Sequence, residues 1–338
     1  MKNINSEKAV RNKITIISFV CSLLVIWIHT YNAKSYALNS ECKGLGWLTW
    51  SIENFWSEII GIAVPTFFLI SGFLFFRTFS WDKLFEKYKT RAKSILLPYL
   101  IWCTLYYLYF VILTNVPIIK DYISSERYVP SFINWVMSLW PESYYSLWFL
   151  KNLICFIIAT PIIYIALKNY FNLPTGFAVV LMLVLNSIMS WIDIPSGLEM
   201  YAIGGYIAVN HKKIEYFRGE LFSCIGLILA FILFVTRFMV YNLPLMVVFI
   251  VACWYALDFF NLDIEMPWWV SITFFTYVFH DMVLEMLEKL FLVLGGTKPL
   301  MALLDYIFMP VITFFVIALV ASVLKRIKPL WNVLCGFR

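Results

Sequence analysis

The chain has 338 residues, of which 62% are hydrophobic and only 14% charged, with a mean hydropathy of +0.82. Soluble domains run to roughly 45–50% apolar and about 25% charged residues, so the composition excludes a water-soluble globule and calls for a polytopic membrane protein. The net charge of +6 comes from basic residues gathered in a few loops, which is an orientation signal and not a nucleic-acid-binding surface.

A helix needs about 20 residues to cross the hydrocarbon. The first apolar run, 14–31, follows a polar start and lacks an A-x-A-like cleavage site, so it is expected as a retained first span and not a signal peptide. Further runs fall at 57–76, 94–115, 147–167, 173–191, 197–210, 220–236, 243–260, 268–292 and 301–324. The one at 197–210 is short, and the pair flanking Asp193-Ile194-Pro195 is expected as a bent hairpin. Most runs are apolar on both faces, without the period-2 alternation of an outer-membrane barrel. The expected fold class is therefore all-α: one membrane domain over 1–338, a bundle of about ten transmembrane helices. Cysteines at 21, 42, 103, 155, 224, 253 and 335 form no C-x-x-C and no paired spacing. Neither a disulfide framework nor a metal site is expected from them.

Basic residues set the orientation. Lys2, Lys8, Arg11 and Lys13, then Arg77, Lys83, Lys87, Lys89, Arg91 and Lys93, then Lys168, Lys212, Lys213, Arg218, Lys325, Arg326, Lys328 and Arg338 fall on one face under that span order. The other face keeps a sparse set that includes Lys43, Lys120, Arg127 and Lys151. Both termini are expected in the cytoplasm.

Two of the three histidines, His29 and His280, lie inside apolar runs, where an imidazole facing lipid is costly. Each reads either as a packing histidine bonded to a neighbouring helix or as a functional group. His29 stands sixteen residues past Lys13, roughly 24 Å along a helix, and His280 is twelve residues into its run, roughly 18 Å. Both spans run outward, so the rings are expected at similar depth. Asp281, Glu285 and Glu288 follow His280, and Glu199 and Lys151 lie just inside the outer ends of their runs. The set forms a polar cluster opening outward. His211, beside Lys212 and Lys213, reads as solvated.

Several segments carry a resemblance. ISFVCSLLVIWIHTYN (17–32) is similar to the opening helix of the integral-membrane acyltransferase 3 family, which ends in a characteristic histidine. IAVPTFFLISGFLFF (62–76) resembles that family's "avPlFFviSGfl" helix and is the most specific match. KYKTRAKSILLPYLIW (87–102), LWFLKNLI (147–154), YAIGGYIA (201–208) and FFTYVFHDMV (274–283) resemble its basic "lPY" start, "WFL" helix, glycine-bearing span and "YliHp" segment. Each motif alone is weak; their shared order over nearly the whole chain is specific.

The resemblance implies a multi-pass enzyme of the bacterial inner membrane. It would move an acyl group, commonly acetyl from acetyl-CoA, onto a hydroxyl of an extracytoplasmic glycan or lipid-linked sugar. Acyl-CoA is then a donor substrate and not a resident cofactor. Carried over by position, the resemblance makes His29 the catalytic candidate and places Arg91 and Lys93 at the family's basic pair. It also shows a departure: the family arginine eleven residues before the histidine is Ser18 here, with Lys13 and Arg11 further toward the cytoplasm.

The residue chemistry agrees with that reading. An imidazole with a pKa near 6.5 is suited to take the proton of an attacking alcohol, and it can alternatively carry the acyl group covalently. The phosphates of CoA need a basic mouth, which Lys89, Arg91 and Lys93 offer, although positive-inside topology alone also explains them. His280 is expected to position His29 or the acceptor, and Tyr277, one turn earlier, to orient it. Ser71 reads as helix packing beside Gly72 or as a tunnel-lining hydroxyl, Trp148 as an aromatic-belt residue or a substrate platform. Lys151 either snorkels outward or holds an acyl carbonyl or acidic sugar; Glu199 joins the acceptor side. The alternative class is a transporter with His29, His280 and Asp281 as a proton relay, but no internal repeat of broken helices supports it.

Overall fold

The structure is a computed structural model that describes residues 7–33, 35–114, 129–140, 145–168, 197–210, 220–239, 242–260, 262 and 264–337. Every regular element among them is helical. In chain order they are α1 (Glu7–His29), α2 (Leu45–Ile60), α3 (Ala63–Phe76), α4 (Leu84–Arg91), α5 (Leu97–Thr114), α6 (Phe132–Leu139) and α7 (Trp148–Ile158). There follow α8 (Thr160–Leu167), α9 (Leu198–Asn210), α10 (Glu220–Thr236), α11 (Leu243–Ala256), α12 (Thr273–Gly295), α13 (Pro299–Leu324) and α14 (Lys328–Cys335).

Among the described residues, four helical stretches are long and apolar enough to cross a bilayer: Lys8–His29, Leu45–Phe76, Trp81–Thr114 and Pro299–Leu324. The α7–α8 pair makes a fifth if its bend of 71° lies within one span. That bend falls where Pro161 removes a backbone N–H and crowds the preceding turn. Helices α9, α10 and α11 have 13, 17 and 14 residues, short of the usual spanning length. Helix α12 is long enough but carries Asp281, Glu285, Glu288 and Lys289. The expected span at 173–191, the Asp193-Ile194-Pro195 bend and His211 lie outside the described residues.

Two boundaries differ most from expectation, the stretch expected from 94 being helical from Trp81. The second run was expected to begin at 57, yet helix starts at Leu45 and breaks only around Gly61 before continuing to Phe76. Glu53 and Asn54 give the stretch before it a loop-like polarity. The structure buries Glu53 completely and supplies it with backbone donors, so the carboxylate does not interrupt the helix.

The chain forms two compact units, Met1–Thr78 with Tyr164–Ala318, and Phe79–Ile163 with Leu319–Arg338. In the first, α1 packs against α12 and α13 in opposite senses. Phe19 stacks edge-on with Trp269, and ten residues later His29 meets His280, so the chain from Trp269 through α12 runs parallel to α1. Phe19 also meets Phe314 while Trp27 meets Tyr306, the mark of an antiparallel neighbour. At the start of α1, Asn12 donates to the carbonyls of Leu262 and Ile264 at 2.7 and 2.8 Å. Lys13 pairs with Asp258 at 2.5 Å and donates to the Trp254 carbonyl at 3.1 Å. Helix α11 begins with Asn242 accepting from Leu245 N–H and with Pro244 in its first turn.

Helices α3 and α9 approach to backbone contact. A β-carbon at Gly72 would overlap the Tyr201 carbonyl, and one at Gly204 the Leu69 carbonyl. Small residues are what such a crossing requires. In the second unit, a π-turn over Ala92–Leu96 joins the basic α4 to the apolar α5. Trp102 donates to the Leu334 carbonyl at 3.0 Å, and Gly336, at φ +69°, ends α14 against Ser94.

Gly204→Leu is expected to force α3 and α9 apart, with a loss of at least the roughly 1–3 kcal/mol typical of overpacking. A lowered melting temperature of the detergent-solubilised protein checks it, with a surface change such as Phe85→Ser as the insensitive control.

Candidate functional site

His29 is the last residue of α1, and its position depends on how the chain leaves that helix. Thr30, fully buried, closes the turn by donating its hydroxyl to the Trp27 carbonyl at 2.7 Å. The next N–H groups, those of Asn32 and Ala33, donate to one oxygen of Glu53 at 3.3 and 3.0 Å. The Asn32 amide donates to Asp305 at 2.7 Å, and the Tyr36 hydroxyl to the same oxygen at 3.2 Å. Burial and the adjacent Asp305 carboxylate push the Tyr36 phenol above its ordinary range, so it keeps its proton and acts as the donor. Glu53 and Asp305 are 0% and 1% exposed, and neither has a basic partner among the described residues. Helices α2 and α13 thus grip the turn directly after His29 through two buried carboxylates.

The histidine rings lie 5.0 Å apart, centre to centre, with planes inclined at 52°. His280 is wholly buried, and its Nδ1 lies 2.6 Å from the Tyr277 carbonyl. A carbonyl only accepts, so Nδ1 carries the hydrogen, and in the neutral ring Nε2 bears a lone pair. That Nε2 is buried and has no hydrogen-bond partner among the described residues. Asp281, the next residue, brings a carboxylate oxygen to within 4.8 Å of a ring nitrogen from each histidine. The opposite flank of α1 is different in kind: Ile17, Cys21 and Leu24 line an apolar cavity of about 430 Å³ with Ala230 and Cys253.

Of the residues singled out in the sequence, the structure brings together His29, His280 and Tyr277, with Asp281 beside them. Ser71 and Glu199 are half-buried on α3 and α9, and among the described residues neither hydrogen-bonds to the histidine pair. Lys89, Arg91, Lys93, Trp148 and Lys151 belong to the second unit. There Lys89 and Lys93 are exposed around the π-turn and Arg91 is half-buried. Lys151 lies 6.0 Å from the centre of the Trp140 ring, and Trp148 is partly buried at the start of α7. Lys13, a potential stand-in for the family arginine, is committed to Asp258. Glu53 and Asp305 were not anticipated. Their bonds to Asn32 join residues 21 and 273 positions apart, and nothing local announces such pairs.

A helical membrane protein with a paired-histidine centre gripped by buried carboxylates is the class these features define. The chain belongs to the acyltransferase 3 family, whose acyltransferase domain profile matches residues 12–324. No curated protein and no solved structure matches it.

Glu53→Ala orphans two buried N–H groups at about 1–3 kcal/mol each. Thermal melts are expected to fall accordingly, whereas Glu53→Gln, which keeps an acceptor oxygen, is expected to recover most of the loss.

Proposed function

We propose that this acyltransferase is a multi-pass enzyme of the bacterial inner membrane with about ten spans and cytoplasmic termini. It moves an acetyl group from acetyl-CoA to a hydroxyl of an envelope polysaccharide or lipid-linked glycan. The observation that carries the reading is the histidine pair, in which a half-buried His29 faces a wholly buried His280 whose Nδ1 is held by a backbone carbonyl. His29 acts as general base. The acceptor oxygen attacks the thioester carbonyl as its proton passes to His29; the C–S bond then breaks, and the CoA sulfur leaves and is protonated. His280, held by Tyr277, packs its ring 5.0 Å from that of His29 and so limits how the His29 ring can turn. Asp281 adds a carboxylate that stabilises the imidazolium once it forms.

On the donor side, Arg91 with Lys89 and Lys93 binds the phosphates of CoA. The π-turn supports this assignment, because such turns re-aim side chains and are frequent at functional sites. Arginine is the stronger phosphate ligand through its planar fork of donors. Lys151, Trp148, Ser71 and Glu199 are assigned to the acceptor path.

His29→Ala is expected to lower transfer of labelled acetyl to envelope glycans by about 10²–10⁴ while the protein still inserts and melts normally. Unchanged labelling would refute the base assignment, and a stable acetyl adduct on the His29 peptide would make it an acyl carrier instead. Arg91→Ala is expected to raise KM for acetyl-CoA about tenfold with kcat little changed, measured on the same glycan.

A further inference from the structure

We propose that His29, His280 and Asp281 bind one first-row divalent cation, Zn²⁺ foremost, and that its occupation switches acyl transfer off. The switching half rests on His29 being the base of the reaction. Three observations carry the site. One ligand atom from each residue lies within 4.8 Å of the others. A tetrahedral zinc with bonds of about 2.0–2.1 Å sets its ligand atoms roughly 3.4 Å apart, so the three ligand atoms close by about 1.4 Å at most to share one ion. His280 and Asp281 are consecutive on α12, about 100° apart around its axis, and so flank the ring offered by α1.

The second observation is the state of His280. Metal-ligating histidines almost always donate their other ring N–H to a carbonyl or carboxylate, which fixes the tautomer. His280 does this to Tyr277 at 2.6 Å, leaving a buried lone pair on Nε2 with no partner among the described residues. The third is the donor set. Two imidazoles and one carboxylate suit zinc, iron or copper and leave a coordination position open, whereas Mg²⁺ and Ca²⁺ demand oxygen shells. A bound ion takes the His29 lone pair that would accept the hydroxyl proton. Proton transfer and metal occupation therefore exclude one another, and binding releases a proton from any ring that carries one.

The test uses the full-length protein purified in detergent and stripped of metal. Titration with Co²⁺ is expected to give intense visible bands of a tetrahedral nitrogen–oxygen site, saturating at one ion per chain and displaced by Zn²⁺ but not by Mg²⁺. Asp281→Asn and His280→Gln are each expected to weaken binding at least tenfold. Zinc is expected to abolish acetyl transfer, and EDTA to restore it. No saturable binding, equal affinity in both variants, or a thiolate charge-transfer band placing the ion on a cysteine would each overturn the site. If a variant fails to fold, the Co²⁺ spectrum of the unaltered chain still decides between a tetrahedral and an aqueous octahedral ion. Binding without inhibition overturns the switch. Loss of transfer in His29→Ala with no metal bound to the unaltered chain leaves the base assignment standing and removes this one.

Discussion

Two carboxylates buried among membrane helices set the terms for everything around His29. An ionised carboxylate removed from water is costly unless hydrogen bonds replace its hydration. Glu53 meets part of that demand at one oxygen with the N–H groups of Asn32 and Ala33, and Asp305 at one oxygen with the Asn32 amide and the Tyr36 hydroxyl; the other oxygen of each is buried with no hydrogen-bond partner among the described residues. Those donors come from the few residues that follow the histidine, so satisfying the carboxylates fixes where α1 ends. The dependence is mutual: the turn also needs these acceptors, since N–H groups leaving a helix inside a membrane have little water to bond to. One constraint thus holds α1, α2 and α13 at a common point and places His29 there.

Register does the rest. α12 parallel to α1 and α13 antiparallel to it are fixed at the far end by Asn12, Lys13 and Phe19, about three turns or more from the histidine. Helices rise by a constant amount per residue, so pinning one end determines which side chains meet at the other. Phe19 with Trp269 at one level gives His29 with His280 at the next. The same helix keeps its chemical and its apolar faces apart, with the cavity around Cys21 and Leu24 on the other flank.

The helices, the shared depth of the two histidines and a close helix approach at Gly72 were legible in the sequence, because each follows from hydrophobic run length, helical rise or the absence of a side chain; that Gly204 lies opposite was not. Depth counting alone placed His29 and His280 at similar levels. The carboxylate grip was not legible. Glu53 sits in a stretch whose acidic residues look like loop, and Asp305 is a single acid in a long apolar run; only tertiary structure supplies the partners that make them tolerable. Span count was less legible than span existence, since α9 to α11 are short and α12 mixes length with charge.

The departure at Ser18 is best judged by angle around α1. Eleven residues before His29 is close to three full turns, so the family's arginine would stand on the histidine's own face. Lys13 is sixteen residues before it, nearly half a turn away from that face, and its buried pair with Asp258 occupies it. Removing one partner of such a pair costs about 3–5 kcal/mol, so Lys13 is committed to the fold. Arg11 is eighteen residues before His29, five whole turns, and it is exposed. It lies on the same face as Ser18 and His29, roughly 10 Å below the serine. The cation aligned with the histidine is therefore not missing from this chain. It stands two turns nearer the start of the helix than Ser18.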